Sequence, residues 1–240
     1  MVNVNRKDNT KISSIQRERY HGPLITDGVS LVYIKLYPWI GLALSGFMYL
    51  VGSYEDNLGI FKGISLFCGV VNILGVIISF IPYLVNAWKA LIYYLIALTV
   101  LSLVIGLDFI GLLMVISDGS PIGAKEIYQS PLTPFYVIFI LLLFIFACGL
   151  YAWYYLPKNQ GKVWVFNQVK GGSRKKTWWN NFAIAFAGAT IIPALLTGYI
   201  QIAFGVLLGI LFTLPLPAVI VDAIYAAIYI KKRPHSDELV

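Results

Sequence analysis

Long apolar segments alternate with short polar ones along this chain. An α-helix needs about 20 apolar residues to cross the hydrocarbon core of a bilayer. Six segments approach that length, at about 32–52, 64–85, 91–117, 135–156, 182–200 and 202–230. The pattern therefore predicts an all-α, polytopic integral membrane protein with six transmembrane helices. These helices form a single membrane domain over residues 31–230, between a polar basic N-terminal tail (1–30) and a C-terminal tail (231–240).

The sixth segment is interrupted near its middle by Thr213, Pro215 and Pro217. Each proline lacks a backbone donor and its ring obstructs a continuing helix, so this segment should contain a helix break. In hydrocarbon, the carbonyl groups that a break frees must be satisfied by protein or water. Gly205 and Gly209 form a glycine-x-x-x-glycine motif that lets another helix approach closely before the break. We therefore expect the sixth helix to pack inward, with the other helices around it.

Two connections between the apolar segments also carry structural information. The tight connection at Asn86–Ala90 predicts that the second and third spans are antiparallel neighbours. The longer connection, from Asp118 to Pro134, is rich in proline and glycine. It predicts an ordered loop without secondary structure.

The composition agrees with a membrane protein and narrows the classes of function. Hydrophobic residues make up 59% of the chain and charged residues 12%, whereas a soluble domain usually carries about 25% charged residues. The net charge of +7 would suit a nucleic acid, but a chain this apolar has no basic face to offer one. We therefore expect the lipid bilayer of the cell membrane, and not nucleic acid, as the partner. No cofactor is expected, because no phosphate-binding glycine loop or comparable motif is present.

The distribution of basic residues predicts the orientation of the spans. If both termini are cytoplasmic, Lys62 and Lys125 are the only two of the 18 lysines and arginines that lie outside. Such an asymmetry is what the positive-inside rule requires. The largest cytoplasmic loop can also contact anionic lipid headgroups, at about 1 kcal/mol per basic residue. The basic residues concerned are Lys170, Arg174, Lys175 and Lys176.

Asp222 is the strongest candidate for a functional side chain, because a carboxylate within a span is costly unless it faces protein or water. Helical spacing places Tyr225 and Tyr229 on its face, together with the small residue Ala218. Lys35 enters from the same leaflet on the first span and is long enough to reach the carboxylate. The sequence thus predicts a structural ion pair or a carboxylate satisfied by hydroxyl groups. The alternative is a proton or substrate site.

Asp108 and Thr213 complete the candidate polar site. Because the third span is longer than a crossing requires, we expect Asp108 to reach the outer interface. The aspartates at positions 108 and 222 should be roughly 15 Å apart in depth, which excludes a proton-sharing protease dyad. His21 and His235 lie in the polar tails. The sequence therefore predicts no metal site and no buried histidine for acid–base catalysis.

Two functions from different classes fit these features. The favoured one is a non-enzymatic accessory or immunity-type membrane protein, which binds another membrane protein or a toxin. Its basis is the absence of a catalytic set in a small protein with short loops. The alternative is a small transporter or channel subunit with its site at the broken sixth helix, since interrupted helices near mid-membrane build substrate and ion sites.

The predicted topology can be tested by cysteine accessibility in intact cells. Cysteines introduced at Asn57 and Ser120 should react with an impermeant thiol reagent, because both positions are predicted to face outside. Cysteines at Gly172 and Ser236 should react only after the membrane is opened. The chain with its native cysteines is the control, and labelling at Gly172 in intact cells would contradict the topology.

Overall fold

The computed structural model describes residues 30–53, 59–117, 124–156, 159 and 199–232. Within these residues the secondary structure is helical, without a strand. The helices are α1 (Tyr37–Val51), α2 (Ile60–Ser79), α3 (Pro82–Ala87), α4 (Lys89–Ile116), α5 (Ala124–Gln129), α6 (Leu132–Tyr154), α7 (Ile200–Thr213) and α8 (Leu216–Lys232), preceded by a 3-10 helix at Leu31–Lys35. The predicted all-α class is therefore confirmed for the described part of the chain.

Four of the described segments are long and apolar enough to cross a membrane. They are α2, α4, α6 and the stretch Ile200–Lys231, which contains α7 and α8. They correspond to the second, third, fourth and sixth predicted spans. The fifth predicted span (182–200) lies almost wholly outside the described residues, as do the N-terminal tail, the C-terminal tail beyond residue 232 and the loop with Lys170, Arg174, Lys175 and Lys176.

The first predicted span is divided into two elements. A 3-10 helix at Leu31–Lys35 leads into α1, which has 15 residues. Pro38 lies in the first turn of α1, where its fixed backbone angle suits the start of a helix. At about 1.5 Å per residue, α1 alone is shorter than the hydrocarbon core.

Two sequence-based expectations were wrong in detail. The second span was predicted to extend to residue 85, but α2 ends at Ser79 because Pro82 starts the separate helix α3. The connection before α6 was predicted to lack secondary structure, yet it contains α5. Tertiary contacts stabilise this short helix. Ile127 is fully buried, and the Tyr128 hydroxyl donates to the carbonyl of Gly52 over 3.1 Å.

The central element of the fold is α4. It packs against α1, α2, α6, α7 and α8, and 67% of its most apolar stretch is buried, against 17% for α6. A helix that is apolar all round is expected in the interior of a bundle. The contact between α2 and α4 agrees with the prediction that the second and third spans are neighbours.

A buried amide joins three helices near the middle of the bundle. The side-chain nitrogen of Asn72 on α2 donates to the hydroxyl of Ser102 on α4 over 2.7 Å. It also lies 2.8 Å from the carbonyl of Cys68 and 3.3 Å from the hydroxyl of Ser45 on α1. The amide oxygen packs directly against Gly41. The bonds of the amide nitrogen link α1, α2 and α4, whereas the buried amide oxygen has no hydrogen-bond partner among the described residues.

Substitution of Gly41 tests this packing. A Cβ at position 41 would overlap the Asn72 side chain, whose carbon Cγ would lie 2.7 Å away. Gly41→Ala should therefore lower the free energy of unfolding by about 1–3 kcal/mol, as overpacking does elsewhere. Gly46→Ala on the same helix is the matched control, because nothing lies within 4 Å of its Cβ. Equal melting temperatures of the two variants in detergent would contradict the structure.

Candidate functional site

The break in the last candidate span is short and closed. α7 ends at Thr213, and α8 begins at Leu216. The Leu214 amide still donates to the carbonyl of Ile210 over 3.1 Å. Pro217 is the second residue of α8. Backbone N–H groups in the first turn of a helix have no acceptor within the helix, so a proline there removes no helical hydrogen bond. The break therefore costs few hydrogen bonds and leaves the Thr213 side chain fully buried.

The hydroxyl of Thr213 donates to the carboxylate of Asp108 on α4. Its oxygen lies 2.9 Å and 3.0 Å from the two carboxylate oxygens. Asp108 is only 8% exposed, so its side chain is enclosed by the bundle; its position at the outer interface concerns depth in a membrane and stays a prediction. α4 continues beyond it to Ile116, and the helical turn at position 108 faces α7 instead of the end of the bundle. The break thus brings a hydroxyl donor to a buried carboxylate.

A tyrosine on α6 completes this cluster. The hydroxyl of Tyr136 donates to the carbonyl of Gly205 over 3.4 Å, and the side chain is buried. It occupies a notch between α4 and α7, because a Cβ at either Gly111 or Gly209 would overlap its oxygen. Tyr136 is also close enough to Asp108 for an electrostatic interaction. The glycines on α4 and α7 therefore admit the tyrosine beside the carboxylate.

Asp222 lies in a second, separate cluster on α8. Its carboxylate is buried and interacts electrostatically with Tyr93 on α4 and with Tyr155, the residue after α6. The Tyr225 hydroxyl donates to the carbonyl of Ala152 on α6 over 2.8 Å. Sequence reasoning assigned tyrosines on α8 to this site but missed Tyr93 and Tyr155. Tyr93 lies on α4 and Tyr155 directly after α6. Both are far from Asp222 in sequence, and only the packing brings them to it.

The proposed partnership between Lys35 and Asp222 is not found. Lys35 is exposed at the end of the 3-10 helix, and the neighbouring Ile34 faces the core instead. Tyr229, also assigned to this site, is buried in α8. The tighter 3-10 geometry sets which side chain points inward, and this could not be anticipated from an α-helical spacing.

The two aspartates therefore lie in different environments along the antiparallel contact of α4 with α7 and α8. Gly205 lies beside Gly111, Thr213 beside Asp108, and Asp222 near Tyr93, so α7 and α8 run along α4 in the opposite direction. Thr213 serves Asp108 and is about 13 Å along the helix from Asp222. Within the described ranges, no group of three or more histidine, cysteine, aspartate or glutamate side chains could hold a metal ion.

Comparison of the chain with family models, with curated proteins and with solved structures finds no significant match. What the geometry offers chemically is hydrogen bonding between helices. Each carboxylate has hydroxyl groups near it, and both are enclosed by neighbouring helices.

The contact between Thr213 and Asp108 can be measured by a double-mutant cycle. Thr213→Val keeps the shape of the side chain and removes the donor, which should cost about 1–3 kcal/mol of stability. Asp108→Leu removes the acceptor. Because the two groups are in contact, the double variant should be more stable than the sum of the single losses predicts, by about 0.5–3 kcal/mol.

Thr133→Val provides the matched control for this cycle. Thr133 also has a buried hydroxyl, which donates to the carbonyl of Ile127 over 2.7 Å and does not touch Asp108. Its loss should add to that of Asp108→Leu without coupling. If Thr213→Val and Asp108→Leu were equally additive in thermal unfolding in detergent, the hydrogen bond would have no energetic role.

Proposed function

We propose that this chain is a multi-pass protein of the cell membrane that acts by binding a membrane partner, without catalysing a reaction. The observation that supports this most directly is the closure of the helix break. In a transport site, the polar groups at a broken helix face a cavity or water. Here the Thr213 side chain is fully buried, and its hydroxyl is bonded to Asp108 of the neighbouring helix.

Two other polar side chains inside the candidate spans also join helices. Asn72 bonds to Ser45 and Ser102 on two other helices. Tyr225 bonds to the backbone of α6. A polar side chain whose hydrogen bonds join two helices is not available to bind a solute or carry a proton. This supports an accessory or immunity-type role, in which another membrane protein or a toxin is recognised by the outer surface of the bundle.

A small transporter or channel subunit is the second candidate, and one observation favours it. Asp108 stands at the break and also contributes to the wall of a cavity between α1, α2, α4 and α6. A buried carboxylate beside a cavity is a common element of proton-coupled sites. Against this reading, the cavity wall is almost entirely carbon, and the carboxylate is bonded to Thr213.

Proton flux into proteoliposomes separates the two candidates. The purified chain, reconstituted with a trapped pH indicator, should give no flux above that of empty vesicles under an imposed pH gradient or membrane potential. A flux that Asp108→Asn abolishes would overturn the proposal in favour of a transporter. Glu126→Gln is the matched control, since it alters an exposed carboxylate on α5.

Photo-crosslinking in native membranes tests the binding role itself. A photoreactive phenylalanine analogue is placed at exposed positions on three helices, namely Leu50, Phe67 and Leu142. At least one position should give a discrete product of higher mass, because a bound partner covers a defined face. The buried Ile140 is the control position. If every exposed position gave only lipid adducts, the partner-binding role would lose its support.

A further inference from the structure

An apolar cavity of about 280 Å³ lies between α1, α2, α4 and α6. It is nearly twice the size of an engineered apolar cavity, about 150 Å³, that stays dry and binds small apolar molecules. Its wall is almost entirely carbon, because the Asp108 carboxylate that borders it is held by Thr213. The surroundings therefore select a hydrocarbon occupant over water or an ion.

The cavity is a slot that extends along the helices. Its lining residues on α4 extend from Leu101 to Leu112, about 16 Å along the helix axis. A slot of this length admits an extended hydrocarbon chain.

The slot opens sideways, between helices. Val137 and Leu141 on α6 line it, and they are also 41% and 54% exposed. Leu141 lies one helical turn from Ile138 and Ile145, two other large exposed apolar side chains of α6. If α6 spans the bilayer, as the proposed function requires, the mouth of the slot meets the acyl chains of the surrounding lipid.

A cation lies on α2 between two residues that line the slot. Lys62 lies between the lining residues Phe61 and Ile64, and its ammonium is 5.2 Å from the ring centroid of Tyr49. The wall itself carries no cation, so an anionic headgroup has to remain at the interface while its chain occupies the slot. There a phosphate can interact with Lys62, and phospholipids supply the acyl chains that the mouth of the slot meets. We propose that this slot binds one acyl chain of a membrane phospholipid.

Photolabelling in detergent tests the site without any assumption about a partner or a transported solute. The full chain is incubated with phosphatidylglycerol that carries a diazirine in one acyl chain, irradiated, and mapped by mass spectrometry. Adducts should concentrate on slot residues such as Ile105 and Phe144. Unlabelled phosphatidylglycerol should compete for them, whereas palmitate should not.

Variants that fill the slot give the matched comparison. Ile105→Trp should lower the adduct yield roughly tenfold, because each methylene that the indole displaces would otherwise contribute to binding. Leu98→Trp adds the same ring to an exposed position of α4 outside the slot and should leave the yield unchanged. Leu141→Trp fills the slot from α6 at an exposed position and should repeat the loss even if Ile105→Trp folds poorly.

Substitution of Lys62 tests the position of the headgroup. Lys62→Gln should weaken labelling by phosphatidylglycerol several-fold without moving the adducts, while Lys125→Gln on α5 should not. Adducts spread evenly over Leu98, Leu142 and the slot, or unchanged yields in both filling variants, would overturn the site. Equal competition by palmitate, or no effect of Lys62→Gln, would overturn its assignment to a phospholipid. None of these outcomes depends on whether a protein partner exists.

Discussion

Hydrocarbon offers no hydrogen-bonding partner, and this one constraint organises the packing of the described helices. Each polar side chain in a candidate span must find its partner on another helix or on its own backbone. Asp108 finds Thr213, and Asn72 finds Ser102. Tyr136 reaches the backbone of Gly205. Each of these bonds lies at a contact between helices. The hydrogen bonds that satisfy the polar groups therefore also determine which helices pack against each other. Apolar packing alone, with lipid tails as the competitor, discriminates poorly between neighbours.

Because α4 takes part in most of these contacts, it occupies the centre. It has 28 residues, about 42 Å of helix. Neither α7, with 14 residues, nor α8, with 17, is long enough to cover that length. Both helices lie against α4, and the break between them places Thr213 at the joint. The prolines therefore contribute to the fold by dividing one long partner into two shorter ones.

The sequence was sufficient for properties that depend on local composition. Apolar length located α4 and α6 to within a few residues, and the prolines located the break. The sequence was insufficient for properties that depend on which residues come into contact in the folded chain. Thr213 and Asp108 are separated by 105 positions, and no local pattern reveals that Thr213 serves Asp108 instead of Asp222. Lys35 was assigned to Asp222 because it enters from the same leaflet and has a long side chain, but Lys35 is exposed in the 3-10 helix and Ile34 is the buried residue. The helix α5 depends on tertiary burial of Ile127, which its own six residues do not encode.

Because both polar clusters are enclosed by helices, the outer surfaces of the bundle are the parts of the described structure that can meet another molecule. A carboxylate that is bonded within the bundle stabilises a particular arrangement of helices, and an arrangement that is fixed can present a fixed outer face. The slot beside Asp108 is part of that face, because its rear wall is α4 and its mouth is formed by the exposed helix α6. A lipid chain in the slot would complete the surface that a partner meets. Partner binding and lipid binding then require the same thing of this fold, namely a rigid centre built around α4.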